Sequence, residues 1–125
     1  MTPQTILLRQ IHPTFIQAER VTSQAFRPTP KDENRLSVDD GDRISAEEAW
    51  QRFTRQPKWQ SAGVMGITVE ECNQRSLPVI ADGVPYAEHV SIDFQHLANK
   101  QIEKIAKLLA TQARQRGWLY RATGA

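Results

Sequence analysis

The sequence has very little cysteine and almost no excess of charge of one sign. Cys72 is the single cysteine, so the chain can form neither an intrachain disulfide nor a zinc site from several thiolates. This cysteine usage is typical of the reducing cytosol. The formal net charge is only +2, from 16 Lys and Arg against 14 Asp and Glu, and this balance gives no general reason to expect a nucleic acid or a membrane as partner.

Long apolar runs and targeting segments are also missing. No stretch approaches the roughly 18 apolar residues of a membrane helix, and the N-terminal segment Met1–Leu8 lacks the basic and apolar regions of a signal peptide. We therefore expect a cytoplasmic protein that does not contact a membrane. Because 39% of the residues are hydrophobic, the chain has material for one core, and we predict a single domain over residues 1–125.

The common catalytic and metal-binding motifs do not occur either. The sequence has no glycine-rich phosphate loop, no dinucleotide-binding fingerprint and no G-x-S-x-G nucleophile elbow. The three histidines lack the spacing that places two metal ligands on one element. His89 and Asp93, four residues apart on a predicted strand, would lie about 13 Å apart. We therefore expect neither a metal nor a bound cofactor.

Local sequence signals predict three helices. Ser45 and Glu48 form an S-x-x-E capping box, and Thr68 with Glu71 forms a second one, so a helix should begin after each. The last helix should begin between residues 97 and 99 and stop at Gly117, a residue type favoured just past a helix end. Its apolar face repeats at 3.6-residue spacing and comprises Ile102, Ile105, Ala106, Leu109 and Ala113.

Short apolar or alternating segments predict the strands. These segments are Thr5–Ile11, Val21–Phe26, Leu36–Val38, Gly63–Val69, Pro78–Ala81 and His89–Phe94. A basic loop with two prolines, residues 27–34, follows the second of them. The expected fold class is α+β: a small sheet of about five or six short strands, with a long C-terminal amphipathic helix and two shorter helices.

Four segments of the chain resemble a family of small uncharacterised bacterial proteins. They read Leu8-Arg9-x-Ile11-His12-Pro13, Arg20-Val21-Thr22-Ser23-x-Ala25-Phe26, Leu36-Ser37-Val38 and Glu88-His89-Val90. Members of the family read L-x-R-R-I-x-P, V-S-S-A-A-F, L-S-V and A-H-A-x-V in the same order. The chain departs from this pattern at Thr22, at Glu88 and in its proline-rich insert. The resemblance implies a bacterial origin and brings no established activity.

Several polar residues are candidates for binding a small anionic ligand. They are Arg9, His12, Ser23, Arg27, Lys31, Ser37 and His89. Arg9, His12 and His89 lie at or near predicted strand ends, where a small sheet leaves its rim open. Arg9 would supply a charge with bidentate geometry, and the two histidines would supply donors that switch near neutral pH. Arg27 and Lys31 lie on a stiff loop, which loses little entropy on binding.

The same basic residues also have purely structural interpretations. Arg9 could pair with Asp93 and tie two strands together, and Arg27 and Lys31 could belong to an ordinary surface loop. A basic stripe on the last helix could contact a phosphate backbone or form the solvated face of an amphipathic helix. The nucleic-acid candidates on this stripe are Lys100, Lys104, Lys107 and Arg114. With so small a net charge, we expect the solvated face and no nucleic-acid partner.

Three functions are compatible with these observations. The missing nucleophile–base set, phosphate loop and metal set favour a non-catalytic binding or accessory module of the bacterial cytosol, acting through a protein partner. One alternative is an NAD- or nucleotide-using enzyme. An arginine that ends a first strand and is followed by a Ser/Thr-bearing strand is loosely similar to ADP-ribosyltransferases, although no clear catalytic glutamate follows in a matching strand. The other alternative is weak nucleic-acid binding through the last helix.

Overall fold

The structure is a computed structural model, and it is described for residues 1–122. In chain order its elements are β1 (Ile6–Gln10), β2 (Ile16–Gln17), β3 (Arg20–Val21), β4 (Arg35–Asp40), α1 (Ala46–Thr54), β5 (Gly63–Thr68), α2 (Val69–Asn73), β6 (Val79–Ile80), β7 (His89–Asp93), α3 (Asn99–Arg116) and β8 (Tyr120–Arg121). Short 3₁₀ turns occur at Pro13–Phe15, Ser23–Phe26 and Pro30–Asp32. These elements confirm the predicted α+β class.

The main sheet is antiparallel, with the strand order β6-β7-β4-β1-β5-β8, and β2 and β3 pair separately. Near its centre, Leu8 of β1 is opposite Asp39 of β4 on one side and Gly66 of β5 on the other. Asp39 is in turn opposite His89 of β7. Because successive side chains of a strand point to opposite faces, Leu8, Asp39 and His89 project from the same face of the sheet.

The main core lies between the other face of the sheet and α3. It includes Leu7, Leu36, Val38, Ile67, Val90 and Ile92 from the strands, and Ile102, Ala106, Leu109 and Ala113 from α3. The predicted apolar face of the last helix is therefore confirmed, with Ile105 packed at its margin. The helix ends at the residue before Gly117, whose φ of 88° is a conformation that glycine adopts without strain.

Helix α1 covers only part of the opposite face of the sheet. Its Ala49 packs with Leu8 in a second, smaller apolar cluster. Beyond that cluster, Ser37 is exposed, and Asp39 and His89 are half-buried. A polar strip of the sheet is thus left uncovered, and it is the strip on which the candidate site is built.

Both predicted capping boxes are present. The Ser45 hydroxyl accepts a hydrogen bond from the amide of Glu48 at 3.1 Å, and the Thr68 hydroxyl accepts one from the amide of Glu71 at 3.1 Å. Each glutamate side chain returns to the amide of its capping residue. Helices α1 and α2 begin at the residue that follows each cap, because the cap supplies partners for amides that the helix cannot bond internally.

The prediction of a strand at Val21–Phe26 is wrong. The strand β3 ends at Val21, and Ser23–Phe26 forms a 3₁₀ turn. A strand would send Ala25 and Phe26 to opposite faces, whereas both are fully buried. The turn buries both side chains because it packs against α3. Burial against a distant helix has therefore overridden the local alternation of residue types.

Candidate functional site

A cleft of about 690 Å³ opens over the polar strip of the sheet. Its volume is within the range of roughly 300–1,000 Å³ that small-ligand sites occupy. The floor includes Gln10 of β1, Ser37 and Asp39 of β4, and His89 of β7. The walls include Arg52 and Phe53 of α1, Trp59 from the segment after α1, and Tyr86 from the segment before β7.

Most of the ligand-binding candidates predicted from the sequence line this one cleft. They are Arg9, His12, Lys31, Ser37 and His89. Ser23 and Arg27 do not line it, because the segment that carries Ser23 is a turn packed on α3 rather than a strand. Arg27 instead forms an exposed ion pair with Glu103 of α3 at 3.0 Å. The convergence of strand ends therefore brings together residues that are far apart in the chain.

Arg9 is held by main-chain carbonyls and not by an acid. Its Nε donates to the carbonyl of Ala25 at 2.8 Å, and its Nη1 donates to the carbonyl of Ser37 at 3.0 Å. The alternative pairing with Asp93 does not form. Among residues 1–122, no carboxylate lies within 4.0 Å of the guanidinium. Burial lowers the pKa of Arg9 to about 10, against an opposing effect of Asp32, so the side chain is a cation at neutral pH.

One wall of the cleft is aromatic, and it was not predicted from the sequence. The rings of Phe53 and Trp59 are stacked, with centroids 5.0 Å apart and planes 28° apart. Trp59 is 47% exposed, so its ring is open to a ligand. No local signal in the sequence relates Phe53 of α1 to Trp59, which lies beyond Pro57. The one available hint was a tryptophan in an otherwise polar segment.

Arg52 fixes the opposite wall. Its guanidinium donates to Asp39 at 2.8 Å and to Glu88 at 2.9 Å, and its Cζ lies 3.9 Å from the centre of the Tyr86 ring. Desolvation raises the pKa of Asp39, and the neighbouring Arg52 acts in the opposite direction. The charge of Arg52 is thus committed to two acids, whereas Arg9 and Lys31 line the cleft without a carboxylate within 4.0 Å in the described part of the chain.

His89 belongs to a hydrogen-bonded chain at the edge of the floor. Its Nδ1 lies 2.6 Å from Oδ1 of Asp82, and the hydroxyl of Ser91 donates to Oδ2 of Asp82 at 2.6 Å. Desolvation works to raise the pKa of Asp82, but the hydrogen bonds from Ser91 and His89 outweigh it, and the pKa is lowered. Asp82 is therefore a carboxylate at neutral pH, held by two residues on the same face of β7, His89 and Ser91.

The Asp82 chain makes a testable contribution to acid stability. Because the pKa of Asp82 is lower in the folded protein, its ionised form stabilises the fold above the unfolded value of about 3.9, and this stabilisation is lost as the pH falls through the folded value. Ser91→Ala removes one of the hydrogen bonds to the carboxylate. The variant should be less stable than wild type at pH 7, and the difference in unfolding free energy should shrink below about pH 4. Urea unfolding of both proteins at several pH values measures the difference in unfolding free energy. A difference that does not change with pH would contradict a role for the Asp82 carboxylate in acid stability.

The nucleic-acid candidates lie on the far side of the molecule. Lys100, Lys104 and Lys107 are exposed on the outer side of α3. Arg114 is instead engaged with the fold, because its Nη1 donates to the carbonyl of Val21 at 2.8 Å. In the part of the chain that the structure describes, no helix is long and apolar enough to cross a membrane, and no group of acids, histidines and cysteine is suited to hold a metal ion.

Cys72 has no features of a reactive thiol. It is fully buried in the main core. Burial, together with the nearby Glu71, raises the pKa of the thiol to about 12. Since the thiolate is the nucleophilic form, the Cys72 thiol is not reactive at neutral pH.

No protein family, curated protein or solved structure matches this chain. The resemblance to small bacterial proteins therefore stays a prediction. The chemistry of the cleft is the available basis for a functional proposal.

Proposed function

We propose that this domain binds a small anionic ligand that carries a planar ring, such as a nucleotide, in the cleft over the sheet. The observation that carries the proposal is Arg9, a half-buried cation that lines the cleft without a carboxylate partner in the described chain. Buried charges in proteins are normally paired, because removing a charge from water is costly. An anion from solution would supply the missing partner.

The geometry of Arg9 favours binding with little reorganisation. Its Nε and Nη1 are tied to the carbonyls of Ala25 and Ser37, so the plane of the guanidinium is already set. Within residues 1–122, Nη2 makes no hydrogen bond. An anionic group that meets this preset donor loses little side-chain entropy on binding. Lys31, at the same cleft, adds a second positive charge.

The aromatic wall supplies a surface for the ring of the ligand. Trp59 is supported from behind by the stacked Phe53, and rings stacked in this way present a preformed apolar plane. On the floor, Oε1 of Gln10 is buried and has no hydrogen-bond partner in the described chain. A donor on the ligand could satisfy it, and a buried polar atom normally has such a partner.

Two variants test the proposal by calorimetric titration of AMP, ADP-ribose and NAD. Arg9→Lys keeps the charge and loses the fork of donors, so the affinity for a bound nucleotide should fall about 10- to 100-fold. Trp59→Ala removes an exposed ring and should weaken binding about 3- to 10-fold, with little change in melting temperature. Arg27→Lys is the matched control, because Arg27 lies outside the cleft and pairs with Glu103 on the surface.

The outcomes separate a ligand site from a structural arginine. If none of the three nucleotides binds wild type at millimolar concentration, the proposal is wrong. It is also wrong if Arg9→Lys lowers the melting temperature while affinity is unchanged, because Arg9 would then serve only to join the turn at Ala25 to the strand at Ser37. An equal loss of affinity in Arg27→Lys would show that the effect is not specific to the cleft.

A role as an accessory module that binds a protein partner stands beside this proposal. It is favoured by two apolar side chains that remain exposed at the rim of the cleft: Trp59 at 47% and Val84, next to the lining Pro85, at 65%. Exposed apolar groups at a groove are typical of sites that bind peptides. Co-purification from the native host, read by mass spectrometry, distinguishes the two roles: a stoichiometric protein supports the accessory role, and a retained nucleotide supports the ligand site.

A further inference from the structure

His89 lines the cleft, and the orientation of its ring is fixed by a hydrogen bond at Nδ1. Its Nδ1 is 2.6 Å from a carboxylate oxygen of Asp82. Asp82 is ionised and can only accept hydrogen bonds, so Nδ1 must carry the proton of the neutral imidazole. The lone pair then lies on Nε2. In the described part of the chain, no group donates a hydrogen bond to Nε2.

We infer that Nε2 of His89 is a hydrogen-bond acceptor for a hydroxyl group of the cleft ligand. This inference rests on the proposed ligand site and changes the role that sequence reasoning gave to His89, which was that of a donor to an anion. It defines a second subsite, opposite in chemical character to Arg9. The ligand class that fits both subsites is a sugar phosphate or nucleoside phosphate with a free hydroxyl.

The strands that carry the two subsites lie two strand spacings apart in the sheet. Leu8 is opposite Asp39, and Asp39 is opposite His89, so β1 and β7 are separated by one strand. Neighbouring strands lie about 4.8 Å apart, which places the backbone next to Arg9 about 10 Å from that of His89. With a hydrogen bond of about 2.9 Å at each end, a nucleoside monophosphate can bridge protein groups separated by a distance of this order.

The charged groups around His89 leave Nε2 available. Asp82 holds Nδ1 from the segment before β7, and Asp39 on β4 is committed to Arg52 of α1. Glu88, the preceding residue, is also committed to Arg52. Each of these carboxylates already accepts a hydrogen bond, and none of them is bonded to Nε2. Nε2 of His89 is therefore free to accept a hydrogen bond from a ligand in the cleft.

The tautomer of His89 is the first test, and it needs no ligand. Long-range ¹H–¹⁵N NMR spectra of the folded protein at pH 8 distinguish the two neutral tautomers of histidine. We expect His89 to carry its proton on Nδ1. A proton on Nε2 would overturn the inference, because that atom would then donate rather than accept.

The contact between His89 and the ligand is tested by removing the ribose hydroxyls of the ligand and, separately, the imidazole of His89. AMP and its 2′,3′-dideoxy analogue are titrated into wild type, His89→Asn and His96→Asn. Asparagine at position 89 keeps a donor near the place of Nδ1 and removes the acceptor at Nε2, so the variant should fold. His96 is exposed and outside the cleft, and its substitution is the matched control.

Loss of the ribose hydroxyls should weaken binding to wild type about 3- to 10-fold. In His89→Asn the same change should cost less than about 2-fold, because the acceptor is already missing. Equal losses in both proteins would overturn the His89 contact and leave the ligand site intact. Failure of AMP, ADP-ribose and NAD to bind wild type would overturn the proposed function, and the His89 subsite with it, whatever the tautomer.

Discussion

Replacement of Phe26 by alanine should lower the free energy of unfolding by about 3–5 kcal/mol. Phe26 is fully buried and belongs to the 3₁₀ turn that packs against α3. Truncation removes the transfer free energy of an aromatic ring and leaves a cavity that a turn fixed at both ends cannot close. Urea unfolding followed by circular dichroism measures the loss.

The neighbouring residue provides the control for this prediction. Arg27 follows Phe26 directly, and its ion pair with Glu103 is about half exposed, with side chains that are 47% and 50% accessible. Such pairs contribute little because solvent screens them, so Arg27→Ala should change stability by less than about 1 kcal/mol. Similar losses for both variants would mean that the turn does not hold the phenylalanine against α3 as described.

Leu109→Ala should destabilise the protein by about 2–5 kcal/mol. Leu109 lies in the middle of the apolar face of α3 and has no solvent exposure. The strands on one side and the helix backbone on the other limit how far the structure can relax into the space that the leucine leaves. Thermal and urea unfolding of the variant should agree on the loss if the domain unfolds in two states.

Lys107→Ala tests the same helix from its solvent side. Lys107 is exposed, and alanine is at least as good a helix former as lysine. Its substitution should change the unfolding free energy by less than about 0.5 kcal/mol. Comparable losses at positions 107 and 109 would contradict the orientation of α3 on the sheet.

The elements that the sequence predicted well are those with local causes. The capping boxes at Ser45 and Thr68 act within one helical turn, and both are formed. The helix α3 follows from a repeated apolar spacing and ends before Gly117. Such signals need no knowledge of the rest of the fold, because the interacting groups are three or four residues apart.

The segment from residue 23 to 26 shows why other elements could not be predicted in this way. Its conformation is set by partners far away in the chain: Phe26 packs in a core shared with α3, and the carbonyl of Ala25 accepts a hydrogen bond from Arg9. Alternating residue types within the segment are equally compatible with a strand. Only the position of α3 decides that Ala25 and Phe26 are both buried.

The candidate site was predicted in part, for a physical reason. Residues at the ends of strands tend to meet at the rim of a small sheet. For this reason Arg9, His12 and His89 were predicted to belong to one ligand site. The partners that define their chemistry could not be found from the sequence. Asp82 reaches His89 through a turn, and Arg52 reaches Asp39 from a helix; both contacts depend on tertiary structure rather than spacing.

The two outer strands of the sheet limit how another chain could join it. Strand β6 contains only Val79 and Ile80 and follows Pro78, which has no amide hydrogen to donate, and strand β8 contains only Tyr120 and Arg121. Each offers roughly 7 Å of backbone, too little to template a continuous intermolecular ladder. In the part of the chain that the structure describes, these two outer strands therefore give a partner strand little backbone with which to pair.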